Sequence, residues 1–564
     1  MNILFNDKEI ENSKKYSKFE KILSFCAWGY VALVFICSFF PRDWNWGFSL
    51  LAFFPIGIRI IWLVLASLVL ISKTRKIVFK QFKILLSRIQ LFSPYIRVLL
   101  FVIVLCAICW MFPVRFYQLG DGSGTLTALQ KTAAEIKETG TQDISSVIST
   151  VQSNNWYIRQ PFVGYLHSYL FAVLNIPQTG DVQLMFRMIG IFIFLCTVLL
   201  LHFFFRKLDW SLSEKILLGS ILVFSGCSVF FFGYIESYTV FYFAILLYLV
   251  SGWLAAEGKM HFVIAGLSFI VMVGFHFASI FFLPSFVFLF VIVFLKRKTE
   301  AFVSLGIMVS ILLISFLISG KSFQDIFQVF NQQEHSSLLP FFTNKENYFP
   351  YTIFSFPHFI DIVNEHLLVI PFIGIIVVLF FVVFWKMVEW KNHLLFFLLI
   401  TSASGFLFTF VGNFELGYAR DWDVVSVFLL PLVFLAIYLL HEQFEKMDEI
   451  VFALAVLSFL QNVLWISVNV NERKGVQRFY TLESTTQMNN RIRGYYYDQW
   501  AQYYIRKKLD DSSVVYLEKA VRLLPNNSRA VLKIKFFHRY DVFVVGNNII
   551  SADNENLQPK NYFC

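Results

Sequence analysis

The chain has 564 residues, of which 57% are hydrophobic and 15% charged, with 70 phenylalanines and a mean hydropathy of +0.65. Those figures exclude a soluble globular domain, whose apolar runs would be cut up by helix or strand periodicity. The net charge of +10 does not indicate a nucleic-acid partner. The basic residues fall in short links between apolar runs, as Lys73, Arg75, Lys76, Lys80 and Lys83 do, which is the positive-inside pattern of a membrane protein.

A helix needs roughly 20 apolar residues to cross a bilayer, and that length predicts thirteen spans: 19–40, 47–72, 97–114, 183–206, 215–232, 239–256, 261–275, 278–295, 301–319, 367–386, 393–411, 423–440 and 450–470. The first follows a polar stretch running to Lys21 with no small-residue cleavage site, so no cleaved secretory signal is expected. Cys106 and Cys109 lie inside an apolar run, where packing is the expected role rather than redox or metal chemistry. Between the third and fourth spans, 161–178 is amphipathic, carries Pro161, Gly164, His167 and Pro177, and reads as an interfacial or re-entrant segment. The apolar run 261–296 is too long for one helix, so a break is placed at Gly274–Ser279.

Basic residues precede the first span (Lys14, Lys15, Lys18) and recur in every second link, at Lys73–Arg88, Lys207 and Lys215, and Lys296–Lys298. This places the N-terminus in the cytoplasm and the links 115–182, 233–238, 320–366 and 412–422, with the C-terminus, outside. From 471 the composition turns polar and aromatic. Two amphipathic helices closed by Pro525-Asn526-Asn527 resemble a tetratricopeptide hairpin. One such unit cannot bury its own face, so it is expected to dock on the membrane domain or on a protein partner.

Chemistry-bearing residues gather in the outer links. Leu119-Gly120-Asp121-Gly122-Ser123-Gly124 leaves an acid sterically open between glycines; the bland alternative is a solvated turn. Gly233-Tyr234-Ile235-Glu236-Ser237-Tyr238 puts a carboxylate at the edge of the hydrocarbon, where it is costly unless paired or facing an aqueous cavity. Gly417-Tyr418-Ala419-Arg420-Asp421-Trp422-Asp423, preceded by Asn413 and Glu415, packs carboxylates and a guanidinium into one short link. Such a cluster binds a metal, holds a phosphate on Arg420, or neutralises itself as surface salt bridges. His276 at its tight turn, Glu334-His335 and Arg159-Gln160-Pro161 are weaker candidates for substrate contacts.

A long first outer loop with an acid just after a span, an amphipathic segment beginning at a proline, many further helices and a polar tail together resemble the GT-C superfamily of membrane glycosyltransferases. Its members include protein O-mannosyltransferases, oligosaccharyltransferases and the aminoarabinose transferases of lipid A. Where members commonly carry a paired acid, Asp121 stands alone between glycines. The resemblance implies an all-α polytopic bundle with two added spans in 1–96, a transferase domain over 97–470 and an extracytoplasmic helical tail over 471–564. It also implies transfer of a sugar, with inversion, from a polyprenyl-phosphate donor in the membrane lipid to a glycan, lipid or protein acceptor outside a bacterial cytoplasmic membrane. Asp121 would then be the general base, Arg420 with Arg159 would stabilise the departing phosphate, and Glu236, Glu415 and Asp421 would bind hydroxyls or a divalent cation, Mg or Mn. Tyr234, His276 and Asp423 complete the expected substrate contacts. The competing classes are a transporter or flippase, or a polymerase or ligase, of lipid-linked saccharides, and a scaffold organised around the tail segment 495–535.

Overall fold

The computed structural model describes residues 2–141, 143–154, 160–319, 338–342, 351–414, 416–483, 490–525, 542–545 and 548–551. They are almost wholly helical; one antiparallel hairpin pairs Val542–Val545 with Asn548–Ser551. Among the described residues eight helices are long and apolar enough to cross a membrane, including Tyr16–Cys37, Pro94–Met111, Val182–Arg206, Tyr238–Ala256 and Trp422–His441. The protein is an all-α, multi-pass membrane protein.

Three of the expected straight spans are instead bent pairs. In place of 47–72 there are two short 3-10 turns, Asp43–Asn45 and Leu50–Phe53, and then Ile56–Leu70, which meets Ser72–Ile89 at 85°. The segment 215–232 divides into Leu212–Val223 and the 3-10 stretch Gly226–Phe232, bent by 76°. In place of 367–386, Phe356–Val369 and Ile373–Phe384 meet at 101°. The last break falls at Pro371, which has no N–H to donate and keeps its predecessor Ile370 off helical geometry. Continuous apolarity hides such breaks, because a buried corner is as hydrophobic as the helices it joins. The run 261–296 turns at His276, between Phe262–Phe275 and the helical stretch Phe277–Lys296. The two arms fold back on each other, with Phe269 stacked on Phe286 at 4.7 Å.

The bundle has two chemically different ends, and the 26-residue helix Phe444–Asn469 connects them, at about 1.5 Å per residue long enough to cross the hydrocarbon. Near its start Asp448 pairs with Lys83 at 2.8 Å, and Glu449 lies 3.8 Å from Arg75, so the basic helix Ser72–Ile89 lies across that end. At its other end, the Arg115 N–H donates to the Asn469 carbonyl at 3.1 Å. That second end carries the first long loop, which is itself helical over Gly122–Thr139, Ile144–Asn154 and Pro161–Val173.

The polar tail packs on the same end. Arg506 donates to the Ser123 hydroxyl at 2.6 Å, and Ser123 donates to Gln502 at 3.1 Å. In the helix Glu472–Glu483, Gly475 lies so close to Phe116 that a Cβ there would come 2.6 Å from the Phe116 Cβ. Asn490–Arg506 and Asp510–Leu523 form a helical hairpin over this contact, with Tyr504 and Tyr516 stacked 5.5 Å apart.

Candidate functional site

The site begins at a turn. Gly120 has φ +68°, a left-handed conformation that side chains resist, and it precedes the helix Gly122–Thr139. A Cβ at Gly120 would stand 2.9 Å from Asp423 Oδ2 and 3.1 Å from both Glu236 Oε1 and Tyr234 Oη. The bare backbone therefore lets two carboxylates from different links close on the loop that carries Asp121. Arg420 Nη2 donates to the Gly120 carbonyl at 3.2 Å, and the Tyr234 hydroxyl donates to Asp423 Oδ2 at 3.0 Å. Asp421 Oδ2 accepts from the Leu416 N–H at 2.9 Å.

Burial grades across this cluster. Asp423 and Arg420 are buried, Glu236 is 6% exposed, Asp421 is half-buried, and Asp121 stands exposed at the mouth. Burial first, then the charges of Asp423 and Asp121, hold the Glu236 carboxyl well above the ordinary carboxylate range. Asp421 is raised by the same causes in the same order. Carboxyls crowded into low dielectric cannot all ionise, so they titrate as a group and keep at least one proton among them. A neutral Glu236 is then a hydrogen-bond donor as well as an acceptor.

The cationic half of the site comes from the link that carries Arg420 and from the tail helix Glu472–Glu483. Arg420 Nε and Nη1 are buried with no hydrogen-bond partner among the described residues, and so are all three guanidinium nitrogens of Arg478. Aromatic rings wall both groups. Arg420 lies 5.8 Å from the Phe479 ring centre and 5.6 Å from that of Tyr496, and Arg478 lies 4.3 Å from that of Trp465. Burial, offset in part by Glu365, pushes Arg478 down to about 9. A buried unpaired donor costs about 1–3 kcal/mol, more when charged. Both guanidiniums act on the Tyr496 hydroxyl, and the natural complement of five such nitrogens in one neighbourhood is an oxyanion.

Of the residues expected from sequence, Asp121, Tyr234, Glu236, Arg420, Asp421 and Asp423 come together here. His276 stands at the edge: its ring stacks on Phe241 at 5.1 Å, lies 5.9 Å from Tyr238, and its Nδ1 accepts from the Ala278 N–H at 3.2 Å. Arg159, Glu415, Glu334 and His335 lie outside the described residues. Among the described residues no group of three or more His, Cys, Asp or Glu side chains is arranged to hold a metal ion; Asp423 accepts from a tyrosine hydroxyl and Asp421 from a backbone N–H instead.

Sequence reading missed Arg478 and Glu365. Both carry a legible signal, since each sits on the buried stripe of its helix. In Glu472–Glu483 the buried positions are Gly475, Arg478, Phe479 and Leu482; in Phe356–Val369 they include His358, Glu365, Leu368 and Val369. A charge on an inward stripe needs a partner or a ligand.

Comparison of the chain with protein-family models, with curated proteins and with solved structures returns no match.

Proposed function

We propose that the protein is a membrane glycosyltransferase of the GT-C kind, moving a sugar from a polyprenyl-phosphate carrier to an acceptor hydroxyl at the outer face of the membrane. The observation that carries this reading is the pairing of an exposed acid, Asp121, with a buried cradle of unpartnered guanidinium nitrogens on Arg420 and Arg478. Displacement of a phosphate from a sugar needs those two elements: a base for the incoming hydroxyl and a cation for the departing oxyanion.

In this mechanism the acceptor oxygen attacks the anomeric carbon as its proton passes to the Asp121 carboxylate. The bond from that carbon to the phosphate oxygen breaks, and its electron pair leaves with the polyprenyl phosphate, held by Arg420 and Arg478. A single displacement of this kind inverts the anomeric centre. Glu236 and Asp421, whose carboxyls burial and then the neighbouring acids hold well above the ordinary range, bind sugar hydroxyls. No step is assigned to Mg or Mn, since the acids among the described residues do not form a ligand set. The outer location rests on the basic helix Ser72–Ile89 at the opposite end of the bundle and on the positive-inside rule.

A transporter of lipid-linked saccharides draws support from the three bent helix pairs, because transporters build their sites on interrupted helices. The charges, however, gather at one end of the bundle rather than at its middle. The two readings separate on the product. Purified protein, given short-chain polyprenyl-phosphate sugars and an acceptor mixture, releases polyprenyl phosphate if it is a transferase. Replacing Arg478→Lys, which keeps the charge but loses the planar fork, should lower the rate by about 10²-fold. Unchanged release in that variant would remove Arg478 from the site, and movement of intact substrate without release would favour transport.

A further inference from the structure

A second polar cavity, of about 420 Å³, opens beside the acid cluster but on the other side of the 113–118 segment. Its walls carry four cations, Arg115, Arg187, Arg506 and Lys507, against one carboxylate, Glu472. None of the cluster acids Asp121, Glu236, Asp421 or Asp423 lines it.

The cavity is a built feature. Its inner wall is pinned on both sides, by the Val114 N–H donating to Phe232 at 2.8 Å and the Arg115 N–H donating to Asn469 at 3.1 Å. Arg187 is fixed by its bond to the Trp110 carbonyl at 2.7 Å and by the Trp110 ring, whose centre lies 4.1 Å from the guanidinium carbon. Arg506 is fixed by Ser123. Lys507 is held 2.6 Å from Glu472, and with that one carboxylate counted against the four cations the wall keeps an excess of three positive charges, which loss of Lys507 would reduce. Two wall groups are unsatisfied: Arg187 Nε, and Nε2 of Gln118, a residue only 1% exposed, are buried with no hydrogen-bond partner among the described residues. Burial pushes the Tyr117 hydroxyl up to about 12 even though Arg506, Arg115 and Arg187 all act on it in the opposite sense.

The position of the cavity selects the form of the anion. It starts where Pro94–Met111 ends, and that helix exposes apolar side chains along most of its length, including Leu99, Leu100, Ile103 and Val104. At the mouth Trp110, Met111 and Phe112 are exposed. An aromatic and a guanidinium together at the end of a lipid-facing helix mark the headgroup level of a bilayer. A molecule with acyl chains along this helix would place its headgroup among the arginines.

We infer that this cavity is a binding site for the phosphate of an anionic membrane lipid, seated between Pro94–Met111 and the tail helix Asn490–Arg506. The lipid would tie the tail to the bundle by bridging Arg115 and Arg187 on the membrane side to Arg506 on the tail side. The inference is independent of the proposed sugar transfer and holds equally for a transporter.

The test uses the full chain in nanodiscs of phosphatidylcholine, with phosphatidylglycerol added in one arm and inorganic pyrophosphate in another. The readouts are thermal unfolding and the lipid retained in native mass spectrometry. Phosphatidylglycerol is expected to raise Tm and to remain bound, and the double substitution Arg115→Gln with Lys507→Gln should weaken retention about tenfold or more. Both residues are exposed, so the fold tolerates the change; wild-type Tm in phosphatidylcholine alone checks this. Stabilisation by pyrophosphate but not by phosphatidylglycerol would overturn the lipid assignment in favour of a soluble phosphate. No response to either, or equal retention by the double variant, would overturn the site.

Discussion

Asp121 and Glu236 show how the same functional group meets opposite environments in one site. Asp121 is exposed at the mouth, whereas Glu236 is buried, and that burial, with the charge of Asp423 beside it, holds its carboxyl well above the ordinary range. Linkage gives that shift a sign. An ordinary glutamate titrates near 4.5, and the folded chain holds this one higher, so the folded state binds the proton more tightly than the unfolded state. The stability gained is complete below the ordinary value and is lost as pH rises through the raised one. The Tm of the wild type is therefore expected to fall from weakly acidic towards alkaline pH, and Glu236→Gln to flatten that fall; a variant with the same slope as wild type would place the titration elsewhere. The motif containing Glu236 is legible in sequence because an acid between two apolar spans has few benign explanations. Its partner was not readable, since pairing with Asp423 depends on Gly120 bringing two distant links within about 3 Å of one point.

At the scale of elements, the tail is part of the site. The helix Glu472–Glu483 supplies Arg478 and Phe479, and Asn490–Arg506 supplies Tyr496, whose hydroxyl donates to the Phe479 carbonyl and whose ring stacks on Phe479 at 4.1 Å. The close approach of Gly475 to Phe116 sets the height of this roof. Gly475→Val would push the roof outward, since neither Cβ has room to retreat in a packed interior. Transfer is expected to drop at least about 10²-fold, with the spans still inserted and the tail more open to protease. Unimpaired transfer would make the tail a separate module. In sequence the tail reads as a helical hairpin that must dock, and it docks; that it brings a cation to the site follows only from the inward position of Arg478. Elements of this kind are readable by periodicity, and helix corners such as the one at Pro371 are not, because apolar side chains fill both sides of the bend.

For the molecule as a whole, the class was evident from apolar runs alone, and the sorting of charge between two ends follows from the links. Three spans expected to be straight are bent, because hydropathy counts length and not direction. Sidedness is the remaining whole-molecule claim. Lys137 and Lys76 are both exposed and lie at the acid-cluster end and on the basic helix Ser72–Ile89 respectively. In sealed cells a membrane-impermeant maleimide should label Lys137→Cys above the background of the native cysteines and leave Lys76→Cys unlabelled until the membrane is opened; the reverse pattern would put the site in the cytoplasm. The central claim, that residues from separate links form one transferase site with Asp121 as its base, is tested most directly by a single rate. Purified wild type and Asp121→Asn are compared for release of polyprenyl phosphate from polyprenyl-phosphate sugars, with thermal unfolding as the control for folding. The account predicts that the variant unfolds like wild type and loses release by about 10²–10⁴-fold. Release at the wild-type rate by folded Asp121→Asn would contradict it.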